Sequence, residues 1–246
     1  MDTPHIVKSF DEQLGQIESL IMEMGGLVEK QIAEAAEALL SRDTELSASV
    51  RDNDKRIDEL DDKISDVAVR VIALRQPMAE DLRRVVAALK ISANLERIGD
   101  YAKNIAKRTS VLAQAEPVGP AVKTIKRMSK LVQEMIKDVL DAYVAHDIHT
   151  ADDVRRRDEE VDQVHNALFR ELLTYMMEDP RNITPCMHLL FIAKNVERMG
   201  DHATGIAEQV YYMIHGSMPE DDRPKKDATS YTYVDPQTPA KRGKKK

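Results

Sequence analysis

Two copies of a short motif place paired carboxylates in this chain. One reads Asn-Leu-Glu-Arg-Ile-Gly-Asp and begins at Asn94, and the other reads Asn-Val-Glu-Arg-Met-Gly-Asp and begins at Asn195. Each copy holds Glu and Asp four residues apart, so on an α-helix both carboxylates lie on one face about one turn apart. Like charges at this spacing destabilise a helix by about 0.2–0.5 kcal/mol. Because both copies of the motif carry this repulsion, we expect a cation that offsets it.

A second pair of acids with the same spacing precedes each motif. In an antiparallel hairpin the two pairs of one half would face each other, because they lie at similar distances from the chain break between them, near Pro77 in the first half and Pro180 in the second. The candidate metal ligands are therefore four carboxylates in each half: Asp54, Asp58, Glu96 and Asp100, then Asp158, Asp162, Glu197 and Asp201.

Four convergent carboxylates require cations or protons to persist near one another. Oxygen-only clusters suit Fe³⁺, Mn²⁺, Mg²⁺ or Ca²⁺, and they also accept Zn²⁺. Bridging carboxylates favour a multinuclear cluster over a single ion. The alternative is that these acids decorate solvated helix faces. Gly99 and Gly200 fall between the two acids of each motif, where a missing side chain leaves room either for an ion or for a closely packed helix.

No residue of the chain forms a recognisable catalytic constellation. The Glu-x-x-His motif of ferritin-like di-iron bundles is absent from the sequence. We interpret His165 and His202 as surface or capping residues, Cys186 as a small buried hydrophobe, and Arg97 and Arg198 as surface ion-pair partners. Without a Ser-His-Asp or Cys-His arrangement or a Gly-rich phosphate loop, no catalytic residue is assigned.

The composition favours long helices over strands. The chain of 246 residues has no Trp and three Phe, and its apolar residues recur at spacings of three and four. The pattern predicts an all-α fold of two tandem antiparallel three-helix bundles, related by a pseudo-twofold internal repeat. Helices are predicted near residues 6–41, 44–75, 79–113, 120–146, 148–178 and 184–215.

These helices divide the chain into two bundles and a tail. The first bundle is expected over residues 1–116 and the second over 117–216. Residues 217–246 are rich in Pro and charge and poor in large aliphatic side chains, so a disordered basic tail is expected. The Lys and Arg residues at its end could attract anionic lipid, but neighbouring acids offset part of their charge, which favours a solvated tail.

Charge and cysteine content restrict the class of protein. A formal charge of −7 argues against a nucleic-acid-binding body. The single cysteine fits a reducing compartment. The sequence shows neither a signal peptide nor a run of 18 apolar residues, so we expect a soluble cytoplasmic protein, peripheral to a membrane at most.

Three stretches of the chain resemble the PhoU family, the accessory regulators of bacterial phosphate uptake. They are Leu-Glu-Arg-Ile-Gly-Asp at 95–100, Val-Glu-Arg-Met-Gly-Asp at 196–201 and Arg-Gln-Pro-Met-Ala-Glu-Asp-Leu-Arg at 75–83. The resemblance covers roughly residues 6–215. It implies a pair of three-helix bundles whose Glu/Asp-x-x-x-Asp motifs bind multinuclear iron or zinc clusters, and the eight carboxylates named above match those motifs.

The resemblance also implies a function without catalysis. It implies a negative regulator of phosphate uptake and of the phosphate-starvation two-component response. Such a regulator would couple the ATPase subunit of the phosphate transporter to the sensor histidine kinase, and a homodimer is expected. From the residues alone two alternatives stay open: a carboxylate-bridged metalloenzyme of hydrolase or oxidase type, and a metal-free helical adaptor.

Overall fold

The computed structural model describes residues 3–220 and 227–232, and its regular structure there is entirely helical. This confirms the predicted all-α fold, and each predicted helix is found to within a few residues at either end. The helices are α1 (Thr3–Ser41), α2 (Thr44–Arg75), α3 (Ala79–Leu112), α4 (Ala121–Ala145), α5 (Ile148–Glu178) and α6 (Ile183–His215), with 3₁₀ turns at Pro180–Asn182 and Thr229–Tyr231.

The middle helix of each half begins with an aspartate cap. The Asp43 carboxylate accepts hydrogen bonds from the backbone N–H groups of Glu45 and Leu46, both at 2.9 Å. The Asp147 carboxylate does the same for His149 and Thr150, at 2.9 and 3.3 Å. Each cap satisfies backbone donors that have no partner inside the helix, which fixes where the helix starts. The start of the helix in turn fixes the height of the acid pair that it carries.

The two halves pack side by side. Helices α1, α2 and α3 contact one another, as do α4, α5 and α6, while α1 packs on α4 and α3 packs on α6 across the repeat. The core consists of Ile, Leu, Val, Ala and Met side chains from all six helices. Aliphatic side chains of this kind interdigitate and fill the space between the long helices at close-packed density. The acid-bearing helices α2–α3 and α5–α6 are thereby held as adjacent pairs.

The crossing of α3 and α6 brings the start of the first motif against the end of the second. The side chain of Asn94 approaches His202, with Oδ1 and Nδ1 2.8 Å apart, and the rings of Tyr101 and His202 lie 5.6 Å apart between centroids. Burial lowers the pKa of His202. His202 is therefore partly buried, because the repeat packs against itself at this point.

A single arginine ties the first hairpin to the end of α3. Arg42 lies in the turn between α1 and α2, and its guanidinium donates to the carbonyls of Leu112 and Ala113 at 2.9 and 3.0 Å, and also to that of Ala115. The last carbonyls of a helix lack intrahelical partners and carry partial negative charge. Arg42 therefore caps the C-terminal end of α3, where the chain leaves the first bundle.

Part of the segment expected to be a solvated tail, residues 227–232, instead packs on the second bundle. Residues Asp227–Thr232 contain a 3₁₀ turn and donate backbone hydrogen bonds to side chains of α5. The rest of the expected tail beyond residue 220, including the basic residues at its end, lies outside the described residues. A segment without large apolar side chains can still pack on the bundle, because backbone hydrogen bonds to Asp162 and Asn166 hold it in place.

None of the helices in the described ranges is long and apolar enough to cross a membrane. The connection between the bundles runs from the end of α3 at Leu112 to the start of α4 at Ala121.

Candidate metal centres

The first carboxylate cluster lies between α2 and α3. Asp54 is 1% exposed, and the ammonium of Lys103 contacts its Oδ2 atom. The same ammonium lies 3.5 Å from Oδ1 of Asp100, and Gln31 of α1 donates from Nε2 to Oδ1 of Asp54 at 3.1 Å. Lys103 thus joins one acid of α2 to one acid of α3. The hydrogen bond with Asp54 raises the pKa of Lys103, so its positive charge is stabilised.

The other two acids of this cluster lie nearer to solvent. Loss of hydration raises the pKa of Asp58, and the Asp54 carboxylate adds to that rise. Burial also raises the pKa of Glu96, with a further contribution from Asp100. The exposed Arg97 is 3.6 Å from Glu96 and 3.8 Å from Asp100, which confirms it as a surface ion-pair partner. Four carboxylates beside the two cations Lys103 and Arg97 leave the cluster with surplus negative charge.

The second cluster, between α5 and α6, is more deeply buried. Asp158 and Asp162 are each 1% exposed, and Glu197 is 2% exposed. The ammonium of Lys194 lies 2.7 Å from Oε2 of Glu197 and 2.7 Å from Oδ2 of Asp227. The backbone N–H of Asp227 in turn donates to Oδ2 of Asp162 at 3.1 Å. Asp227 therefore connects the acids of α5 to those of α6.

Burial has a strong effect on the charged groups of the second cluster. It raises the pKa of Glu197, although the hydrogen bond from Lys194 opposes the rise, and Asp201 adds to it. His165 is 2% exposed, and burial lowers its pKa. The predicted surface position of His165 is wrong, since its Nδ1 lies 3.7 Å from Oδ1 of Asp227 beneath the C-terminal segment. Cys186 is fully buried, as predicted.

The two clusters are neutralised by lysines that are not equivalent in the repeat. Lys103 follows the second acid of the first motif by three residues, and Thr204 occupies that place in the second motif. Lys194 precedes the first acid of the second motif by three residues, and Ala93 occupies that place in the first. On a helix, a residue three positions away lies on the same face. Each half therefore places a cation beside its acids, but from the opposite side of the motif.

The two motif glycines serve different close contacts. A Cβ atom at Gly99 would lie 3.1 Å from Cδ1 of Ile57 and 3.3 Å from Oε1 of Gln31, so this glycine admits neighbouring side chains of α2 and α1. A Cβ atom at Gly200 would lie 2.6 Å from Oδ1 of Asp158. Gly200 therefore makes room for a carboxylate of the cluster itself, and Gly99 makes room for helix packing.

The donor set fits a hard or borderline cation, because each cluster offers carboxylate oxygens in excess of its lysine charge. Among the residues that the structure describes, no three His, Cys, Asp or Glu side chains converge as a group that could hold one ion. Binding of an ion would therefore require the carboxylates to turn away from Lys103 or Lys194. An ion held by Asp54, Asp58, Glu96 and Asp100, or by Asp158, Asp162, Glu197 and Asp201, would replace the lysine as counter-charge.

Four residues of these clusters were missed by the reasoning from sequence: Gln31, Lys103, Lys194 and Asp227. The spacing of three residues to a motif acid could have indicated the two lysines. Gln31 lies on a helix without motif acids, and Asp227 lies beyond the repeat. No local pattern marks either of them as a member of a cluster.

The fold and the two clusters define a duplicated three-helix-bundle protein that gathers carboxylates at equivalent places in each half. The model of the PhoU domain matches residues 21–109 and 125–210, one match in each bundle. The chain therefore belongs to the PhoU family.

Relatives match almost the whole chain. A phosphate-specific transport system accessory protein PhoU homolog from Caulobacter vibrioides is 52% identical over 93% of this chain and 99% of its own length. A homolog of the same description from Rhizobium meliloti is 46% identical over 94% of this chain and 97% of its own length. The crystal structure of PhoU from Pseudomonas aeruginosa is 38% identical, with a TM-score of 0.81 over 85% of this chain and 100% of that one.

A Gly200→Ala substitution should destabilise the protein more than Gly99→Ala does. Alanine favours a helix by about 1 kcal/mol over glycine, but at position 200 it collides with the buried Asp158 carboxylate. Overpacking of this kind costs about 1–3 kcal/mol. At position 99 the contacts are side-chain ends that can shift. Thermal unfolding of both variants and the wild type measures the difference, and equal melting temperatures for the two variants would contradict this account.

A Lys103→Met substitution should destabilise the metal-free protein because it leaves the buried Asp54 carboxylate without its cation. Breaking a fully buried ion pair costs about 3–5 kcal/mol, and because the Lys103 side chain is 28% exposed we expect about 2 kcal/mol. This corresponds to roughly 4–8 °C in melting temperature. The measurement is thermal unfolding in chelator. Lys107→Met, an exposed lysine one turn away, is the control, and a loss of the same size there would contradict the assignment.

Proposed function

We propose that this protein is an accessory protein of phosphate-specific transport and a negative regulator of phosphate uptake. The observation that carries the proposal is the match of both bundles to the PhoU domain, together with full-length similarity to relatives named as accessory proteins of that system. The protein would repress the phosphate-starvation two-component response when phosphate is plentiful. It would do so in the cytoplasm as a binding protein, without a catalytic step.

The proposed partners are the ATPase subunit of the phosphate transporter and the sensor histidine kinase. A surface that supports such contacts lies at the turn between α2 and α3, where Leu74 and Met78 are 68% and 81% exposed on either side of the Arg75-Gln76-Pro77 segment. Exposed apolar side chains on a turn are suited to docking on another protein. The corresponding turn of the second half, around Asp179-Pro180, has a different sequence, so the two halves would present different surfaces. We further propose that the protein acts as a homodimer.

We propose that each carboxylate cluster binds a metal cluster, of iron or zinc, through the eight carboxylates named above. The surplus negative charge of the first cluster and the raised pKa values of Asp58 and Glu96 support a cation there. The second candidate is a metal-free helical adaptor. It is favoured by one specific observation, namely that Lys103 and Lys194 already neutralise part of each cluster.

Metal analysis of protein purified without chelator distinguishes these two candidates. We expect the double variant Glu96→Gln, Asp100→Asn to lose the metal of the first bundle and to stay folded, because the carboxylate charge holds the cation. A matched control is Glu134→Gln, Asp141→Asn, which removes two exposed acids of α4 and the same charge. Equal, non-zero metal content in the wild type and both double variants would refute a metal site at Glu96 and Asp100. Absence of metal from all three proteins would favour the adaptor.

Deletion of the gene should leave phosphate-regulated genes expressed in phosphate-rich medium, because the proposed repressing partner of the kinase is lost. Alkaline phosphatase activity in the deletion strain measures the effect, and the full-length gene supplied in trans should restore repression. Additional deletion of the sensor kinase should abolish the activity if the protein acts through that kinase. Normal repression in the single deletion would refute the regulatory role whatever the metal content.

A further inference from the structure

The segment Asp227–Thr232, called here the strap, lies across the second carboxylate cluster. Its backbone donates twice to α5, from Asp227 to Oδ2 of Asp162 at 3.1 Å and from Ala228 to Oδ1 of Asn166 at 3.0 Å. Its Asp227 carboxylate reaches α6, where Lys194 donates to Oδ2 at 2.7 Å. The strap is thus anchored on both helices that carry the second set of acids.

The two oxygens of the Asp227 carboxylate have different partners, Thr229 within the strap and Lys194 on α6. Oδ1 of Asp227 accepts from the backbone N–H of Thr229 at 2.9 Å and from its hydroxyl at 2.7 Å, which starts the 3₁₀ turn Thr229–Tyr231. Oδ2 of the same group faces Lys194. Burial acts to raise the pKa of Asp227, but the donors from Lys194 and Thr229 hold it well below its usual range. The group is therefore an anion that is fully engaged in the docked segment.

The central contact is the ammonium of Lys194, which lies 2.7 Å from both Glu197 and Asp227. The side chain of Glu197 is 2% exposed and that of Asp227 is 13% exposed, so both anions depend on this one cation in a poorly hydrated place. A second cation that took Glu197 would compete with Lys194 for the carboxylate. The positive charge of that cation would also repel the ammonium of Lys194 and weaken its contact with Asp227, which holds the strap on α6.

We propose that the groove between α5 and α6 is a docking site for a short segment of the Asp-Ala-Thr type, and that this chain's own residues 227–232 occupy it. We infer further that strap docking and cation binding at Glu197 exclude each other through Lys194. This second statement rests on the proposed metal binding, and the first does not. The described residues of the first bundle show no equivalent of the strap, so the two clusters would differ in access.

Amide hydrogen exchange of the full-length protein in chelator tests the docking. The variant Asp227→Asn keeps a side chain of the same size and removes the charge that faces Lys194. We expect exchange of the peptide that covers 227–232 to rise about tenfold, as the loss of one charge-assisted hydrogen bond predicts. Glu220→Gln removes an equal charge from an exposed residue seven positions before the strap in the sequence and should leave exchange unchanged. Equal exchange in the wild type and Asp227→Asn would overturn the docking.

Titration with zinc chloride tests the exclusion. In the Glu96→Gln, Asp100→Asn background, calorimetry reports on the second cluster, and adding Asp227→Asn should strengthen zinc binding several-fold. Zinc should also raise exchange of residues 227–232 in the wild type. Weaker binding with Asp227→Asn would identify Asp227 as a ligand and overturn the exclusion. An absence of zinc binding would overturn the exclusion and a zinc site at the second cluster, while the exchange result in chelator still decides whether the strap docks.

Discussion

The structure depends on the neutralisation of carboxylates that are held out of water. Asp54, Asp158, Asp162 and Glu197 are all at most 2% exposed, and a buried anion is tolerated only with a cation or several donors beside it. The protein places Lys103 beside Asp54, Lys194 beside Glu197 and the backbone N–H of Asp227 beside Asp162. The acids lie level on adjacent helices because aspartate caps set the start of α2 and α5 and because the core holds α3 and α6 against them.

Neutralisation also connects packing to function in this protein. A cluster that keeps more carboxylates than lysines stays attractive to a cation, and the same lysine charge sets how strongly an incoming cation must compete. Both ammonium groups belong to the helix that carries the motif of their half, α3 for Lys103 and α6 for Lys194. In the second half the ammonium is shared with the strap, so the state of the cluster is connected to a segment outside both bundles.

Much of the fold could be predicted from the sequence, because helical spacing, breaks at Pro and a long repeat are local or pairwise signals. Helices α2 and α5 begin and end where the spacing places them. The motif acids were also found this way, since a spacing of four residues has a direct meaning on a helix. The burial of His165, the partial burial of His202 and the contacts of Asp227 were not predicted, because they depend on segments far apart in the chain. Such contacts leave no periodic trace in the sequence.

The unequal lysines have a consequence for how the two halves can evolve. Both copies of the repeat carry the acids, but their lysines stand at different positions: the place equivalent to Lys103 holds Thr204, and the place equivalent to Lys194 holds Ala93. Residues 54 and 103 depend on each other through one contact, and residues 194, 197 and 227 through another pair of contacts. The effect of a substitution in one half therefore does not predict the effect of the equivalent substitution in the other half. Replacing Lys103 by the threonine of the other copy, or Lys194 by its alanine, would leave a buried carboxylate without its cation.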